Sequence, residues 1–222
     1  MVCKAVLFDL IGTTVKENDP DTINNCFLKA FRDNNVIADK DLFISNRGKD
    51  KMEIIRLMLI DSRENNIADS IYNSFNKNVE NNLNNFSAAA DAIQVFSYLR
   101  RQSIKIGLGT GLSRDLFEKI LSHLTWDKEL FDYIGIASEI GKSRPHPAMV
   151  LDMMHKCNIA NPQELLKIGD TVADIQEGKN ANVKTAVLLA GTQPAQELIN
   201  EKPDFIFNDL IEIQNILSYQ KL

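Results

Sequence analysis

Long apolar runs are missing from this chain of 222 residues. None approaches the roughly 20 residues that a membrane-spanning helix needs, and no signal peptide precedes the first strand pattern, so a cytoplasmic protein is expected. Cysteine is scarce: Cys3, Cys26 and Cys157 are odd in number and far apart, which argues against a disulfide framework. Cys26 and Cys157 fall within helical patterns, as small core residues. No basic run offsets the net charge of −5, which weighs against a nucleic-acid partner. His123, His146 and His155 lack metal-ligand spacing and receive no role. There is no internal repeat, and the one compositional bias is an excess of Asn. What remains is ordinary for a soluble globular protein: 44% apolar and 25% charged residues. The length suffices for one large domain or a core carrying an insert.

Two short carboxylate motifs stand out at opposite ends of the chain. Ala5-Val6-Leu7-Phe8-Asp9 runs into Gly12-Thr13-Thr14, and Leu166-Lys167-Ile168-Gly169-Asp170 runs into Thr171, with Asp174 four residues on. An apolar run that ends in Asp and passes into a small-residue turn is the pattern of a buried parallel strand delivering a carboxylate to the sheet edge. Open α/β sheets bind ligands at that edge, so Asp9 and Asp170 are expected in one site. Paired carboxylates beside small turn residues suit Mg2+ with a phosphate-bearing substrate.

Between the motifs the pattern changes twice. After the first strand, at about 4–10, helical periodicity begins with Ile23, Cys26, Phe27, Ala30 and Phe31 on one face. A second helix is expected from Asp50 through Met52, Ile55, Leu59 and Ile60, and a third over about 68–83. No strand pattern interrupts this stretch, so 15–87 is expected to be an all-helical cap inserted in a core of 1–14 and 88–222. The Asn-rich segment 80–85 is expected to be its return hinge. Strands at 104–109, 133–136, 166–169, 185–189 and 205–207 then alternate with helices at 91–101, 113–124, 148–157 and 175–181. Alternation of this kind gives an α/β doubly wound parallel sheet.

These motifs, Asp9-Leu10-Ile11-Gly12-Thr13 and Gly169-Asp170-Thr171-Val172-Ala173-Asp174, resemble those of the haloacid dehalogenase (HAD) superfamily of hydrolases. The order of the intervening motifs is similar too. Gly109-Thr110-Gly111 resembles its second motif, and Arg144-Pro145-His146-Pro147 its third. The resemblance implies a helical cap over a Rossmann-like core. It implies Asp9 as nucleophile and Mg2+ as cofactor, held by Asp9, the Ile11 carbonyl, Asp170 and Asp174. Thr110 and a cation, Arg144 or alternatively Lys142, would hold the phosphoryl group; Gly111 and Thr13 would lie beside it. The expected partner is a small phosphate or phosphonate; a homodimer is admitted, and no nucleic acid or membrane is expected.

Ile11 departs from the family pattern, since most of its phosphatases carry there the Asp that protonates the leaving alcohol and activates water. Haloacid dehalogenases proper and phosphonoacetaldehyde hydrolase (phosphonatase) also lack that Asp. The dehalogenases lose the acidic metal turn, which is intact here. In phosphonatase a cap lysine forms a Schiff base with the aldehyde, which makes the acid dispensable. Gly48-Lys49-Asp50-Lys51 resembles that cap loop, with Lys51 as the amine and Gly48 beside the substrate; Thr13-Thr14-Val15 and Ala190-Gly191-Thr192-Gln193 also resemble phosphonatase. Phosphonatase's cap histidine has no match, its place being taken by Ile54. The expectation is a phosphonatase-like, Mg2+-dependent hydrolase. Two alternatives stay open: a metabolite-binding or regulatory protein without turnover, and an ordinary phosphatase with an acid/base from the cap.

Overall fold

The computed structural model describes residues 2–59 and 67–218. Its centre is a six-stranded sheet in the order β5-β4-β1-β6-β7-β8, built from β1 (Ala5–Asp9), β4 (Lys105–Thr110), β5 (Tyr133–Ile136), β6 (Leu165–Gly169), β7 (Lys184–Leu188) and β8 (Phe205–Phe207). Every pairing in it is parallel. Alternation along β1 buries both faces of the sheet. Val6 and Phe8 pack with the helix α5 (Ala92–Arg101), where Phe8 meets Phe96 edge-on at 5.6 Å. Ala5 and Leu7 pack on the other side with Met149 and Met153 of α8 (Ala148–Lys156). That double covering is why the strand sequence is continuously apolar.

The chain lays β4 and β5 on one side of β1, then crosses to lay β6, β7 and β8 on the other. The reversal opens a crevice at the carboxyl ends of β1, β4 and β6. Register places Asp9 opposite Gly109, and Phe8 opposite Ile168, so Asp9, Thr110 and Asp170 leave three adjacent strands at one level.

Between β1 and β4 lie α1 (Thr22–Asp33), α2 (Lys40–Ser45), α3 (Lys51–Met58) and α4 (Ala68–Glu80). The apolar stripe read from the sequence faces inward: Phe27 stacks on Phe43 at 3.9 Å and meets Phe75 edge-on at 5.7 Å. Each such buried ring contributes about 1.5–3 kcal/mol. The expectation of an uninterrupted helical stretch is corrected: β2 (Val15–Glu17) pairs antiparallel with β3 (Phe86–Ala88), making a two-stranded ribbon where the chain leaves and re-enters the core. Three-residue strands carrying Lys16 and Glu17 show no alternation long enough to detect. The third helix ends at Glu80, and Leu83–Asn85 forms a 3-10 turn in the Asn-rich segment. The second ends at Met58; Ile60, expected in it, lies outside the described residues. Helix α2, capped by the Asp39 carboxylate on the Leu42 N–H, was not expected, and neither were α7 (Ala137–Ile140), α10 (Ala195–Asn200) and α11 (Ile213–Ser218). Pieces of four to six residues are too short to establish a period. The remaining helices are α6 (Arg114–His123) and α9 (Val172–Asn180).

Candidate active site

Asp9 ends β1 and is buried, with Arg144 Nη1 on its Oδ1 at 2.5 Å. Gly12, just beyond, has φ +94°, and a Cβ there would lie 2.2 Å from the Asp170 carboxylate. Glycine is therefore required twice, for the turn and for the close approach of the two motifs. Asp170, fully buried, accepts the Thr192 N–H at 2.8 Å, the Thr192 hydroxyl, and the Thr13 hydroxyl at 3.1 Å. Thr13 thus orients Asp170 rather than lining the cavity. Thr110, the last residue of β4, is buried and accepts the Leu112 N–H at 3.1 Å.

The helix start at α9 is capped by Thr171, whose hydroxyl donates to Asp174 Oδ2 at 2.5 Å. Asp174 Oδ1 meets Lys167 Nζ at 2.5 Å and Arg144 Nη1 at 3.1 Å. Arg144 also donates from Nε to Glu177 Oε2 and from Nη1 to the Gly48 carbonyl, both at 3.1 Å. Of the two candidate cations, Arg144 reaches Asp9, whereas Lys142 is exposed and outside the cavity lining. Sequence reasoning missed Lys167 and Glu177. A lysine inside the apolar run of β6 is a usable signal, because lysine is so seldom fully buried without a partner. Glu177 gave none.

Four buried carboxylates (Asp9, Asp170, Asp174, Glu177) lie with two buried cations, Arg144 and Lys167; Asp9, Asp174 and Glu177 pair with those cations, and Asp170 with neither. Burial and neighbouring charges act together on these carboxyls. Burial pushes the Asp170 carboxyl up to about 7, with Asp9 and Asp174 adding to it. Burial also raises Asp9, against the opposing pull of Arg144. Burial acts on Asp174 too, but Arg144 and Lys167 outweigh it and hold that carboxyl below its usual range. Oxygens of Asp9, Asp170 and Asp174 lie within 4.8 Å of one another, a donor set that fits a hard divalent cation.

The opposite wall comes from the segment between α2 and α3. A side chain on Gly111 would strike the Lys49 carbonyl at 2.3 Å, so the loops after β4 and before α3 touch backbone to backbone. The Lys51 N–H donates to the Gly111 carbonyl at 3.3 Å and the Asp50 N–H to Ser143 Oγ at 2.8 Å. Lys51 is buried, and its Nζ donates to the Lys49 carbonyl at 2.9 Å with no ion pair among the described residues. Burial pushes its pKa down to about 8, and Arg47 adds to the shift. Arg47 in turn is buried against Glu17 of β2 at 2.6 Å and the Asn24 side-chain carbonyl at 2.8 Å. Asp9, Ile11, Thr110 and Arg144 face Ile23, Arg47, Gly48 and Lys51 across a cavity of about 30 Å3.

Residues 6–188 match the family described as haloacid dehalogenase-like hydrolase. The chain is 30% identical to a phosphonoacetaldehyde hydrolase of Parabacteroides distasonis over 139 residues, 61% of this chain and 53% of that one. It thus spans about half of that relative's length. It is 29% identical to a phosphonoacetaldehyde hydrolase of Latilactobacillus sakei over 203 residues, covering 84% and 75% of the two chains. A solved structure of a phosphonoacetaldehyde hydrolase like protein from Oleispira antarctica superposes with a TM-score of 0.85 at 18% identity, over 99% and 92% of the chains.

Proposed function

The chain belongs to the haloacid dehalogenase-like hydrolase family, and on that footing we propose that it is a Mg2+-dependent hydrolase of a small phosphonate, with residues 15–87 acting as a cap over the core. Asp9, the Ile11 carbonyl and Asp170 would hold the ion, with Asp174 beside them. Bound there, it would supply charge neutralisation for a phosphoryl group approaching the carboxylates.

Thr110 and Arg144 seat the phosphoryl group, and Lys51 meets the organic part from the opposite wall. The neutral Lys51 amine adds to the substrate carbonyl, and loss of water gives an imine. Asp9 then attacks phosphorus; the P–C bond breaks, and its electron pair passes into the imine as an enamine. Protonation of the enamine and hydrolysis of the imine free Lys51, and water releases phosphate from the Asp9 acyl phosphate. The leaving carbon needs no acid at position 11, which agrees with isoleucine there.

One observation carries this reading: a buried amine with its pKa lowered to about 8 shares a cavity with the nucleophile. Depressed basicity is what an amine nucleophile requires. The test is phosphate release from phosphonoacetaldehyde, with Mg2+ and with Mg2+ chelated, for the native protein, Asp9→Asn and Lys51→Ala. Mg2+-dependent release lost in both variants, together with substrate-dependent inactivation by borohydride, supports the reading. Release from phosphate esters alone would make Lys51 a binding residue, and no release from either class would favour a binding protein.

A further inference from the structure

Glu177 lies one turn beyond Asp174 on α9, fully buried and outside the cavity lining. Its Oε2 accepts the Nε–H of Arg144 at 3.1 Å and lies 3.6 Å from Lys167 Nζ. Its Oε1 is buried with no hydrogen-bond partner among the described residues. An unpartnered buried carboxylate oxygen works against stability, so the contacts of Oε2 carry what this side chain does.

The arrangement of Arg144 shows what. Of its three guanidinium nitrogens, Nε is taken by Glu177. Nη2 is wedged in the core, 3.9 Å from Met149 sulfur and 3.2 Å from where a Cβ on Gly109 would stand. Only Nη1 is turned to the chemistry, touching Asp9, Asp174 and the Gly48 carbonyl. A guanidinium is a planar fork, so fixing Nε fixes the direction of Nη1.

We propose that Glu177 is the positioning residue of the phosphoryl-binding arginine: it never meets the substrate, and by holding Nε it keeps Nη1 between Asp9 and the incoming phosphoryl group. This rests on Arg144 being the phosphoryl-binding cation. A different role would be bare charge compensation of Lys167 and Arg144, and two conservative variants separate the roles. Glu177→Gln keeps an acceptor oxygen at the same reach and loses the charge. Glu177→Asp keeps the charge and withdraws the oxygen by one methylene.

The measurement is the dissociation constant for inorganic phosphate in the presence of Mg2+, by calorimetry, with thermal denaturation to show that each variant is folded. Glu177→Asp is expected to weaken phosphate binding about 10–100-fold, by analogy with the cost of removing the partners that orient metal ligands. Glu177→Gln is expected to stay near the native value. In an Arg144→Lys background, Glu177→Asp should have no further effect, because lysine has no Nε to hold. A weaker Glu177→Gln than Glu177→Asp, or a Glu177→Asp effect that persists beside Arg144→Lys, overturns the proposal. Failure of the native protein to bind phosphate, or indifference to Arg144→Lys alone, removes the phosphoryl role of Arg144 and the proposal with it.

Discussion

The two walls of the cavity solve opposite electrostatic problems. On the core wall, Asp9, Asp174 and Glu177 share Arg144 and Lys167, and the surplus is negative. On the wall of the proposed cap, the cap wall, the Arg47–Glu17 pair is closed on itself, and the Lys51 amine is left, among the described residues, with one backbone carbonyl. In the proposed function the core wall concentrates charge for a cation and a phosphoryl group, as preorganised sites do. The opposite wall buries an amine beside Arg47, and the two together outweigh the carboxylates of Asp50 and Asp9 and lower its basicity. A carboxylate beside Lys51 as close as those around Arg144 would hold it protonated and end its use as a nucleophile.

The largest effect that can test this division is at Asp9. Asp9→Asn preserves shape and removes the proposed nucleophile, so phosphate release should fall on the order of 10^4-fold or more while the fold survives. Residual turnover within tenfold of native would move the chemistry away from the core wall. Next comes the closed pair on the cap wall. Glu17→Gln keeps an acceptor for the Ile23 N–H, which Glu17 holds at 2.6 Å, but leaves Arg47 buried without its counter-charge. Removing one partner of a buried pair costs about 3–5 kcal/mol, to be read from the urea midpoint at unchanged slope. Replacing both, as Glu17→Gln with Arg47→Met, should recover much of that loss.

What the sequence made legible follows the same division. The core wall is written in local motifs: a strand, an acid and a small-residue turn survive in one dimension, so Asp9, Thr110, Arg144, Asp170 and the six strands could be placed before any coordinates. Lys51 was legible only through its spacing from Gly48 and its resemblance to a cap loop. Its depressed basicity depends on burial, which the sequence does not state. Glu177 and the Glu17–Arg47 pair were invisible because their partners are 33 and 30 residues away. The β2–β3 ribbon failed for a similar reason: three residues pair with three others across the whole insert, and neither strand carries a pattern alone.

A smaller effect is the titration of Lys51 itself. With a pKa of about 8, roughly a quarter of the amine is neutral at pH 7.5, against about 0.1% for an ordinary lysine. Its modification by an amine-directed reagent should follow a midpoint near 8; a midpoint near 10 would show the cap wall to be open to water. Stability gives an independent check. Folded Lys51 binds fewer protons than unfolded Lys51 between about pH 8 and the ordinary 10.5. The native protein should therefore gain stability relative to Lys51→Met as pH rises through that window.

The smallest expected effect sharpens the contrast most, because it separates charge from structure at a single side chain. Asp50 Oδ1 caps α3 by accepting the Glu53 N–H at 3.0 Å, while Oδ2 is buried without a hydrogen-bond partner among the described residues. Its charge favours the protonated form of Lys51, opposing burial and Arg47. Asparagine caps a helix as well as aspartate does, whereas alanine costs about 1 kcal/mol. Asp50→Asn should therefore leave the urea midpoint nearly unchanged and shift the Lys51 midpoint below about 8. Asp50→Ala should shift the midpoint likewise and lose about 1 kcal/mol as well. An unmoved midpoint in both would mean that Asp50 does not reach the amine electrostatically, and that burial with Arg47 sets its basicity alone.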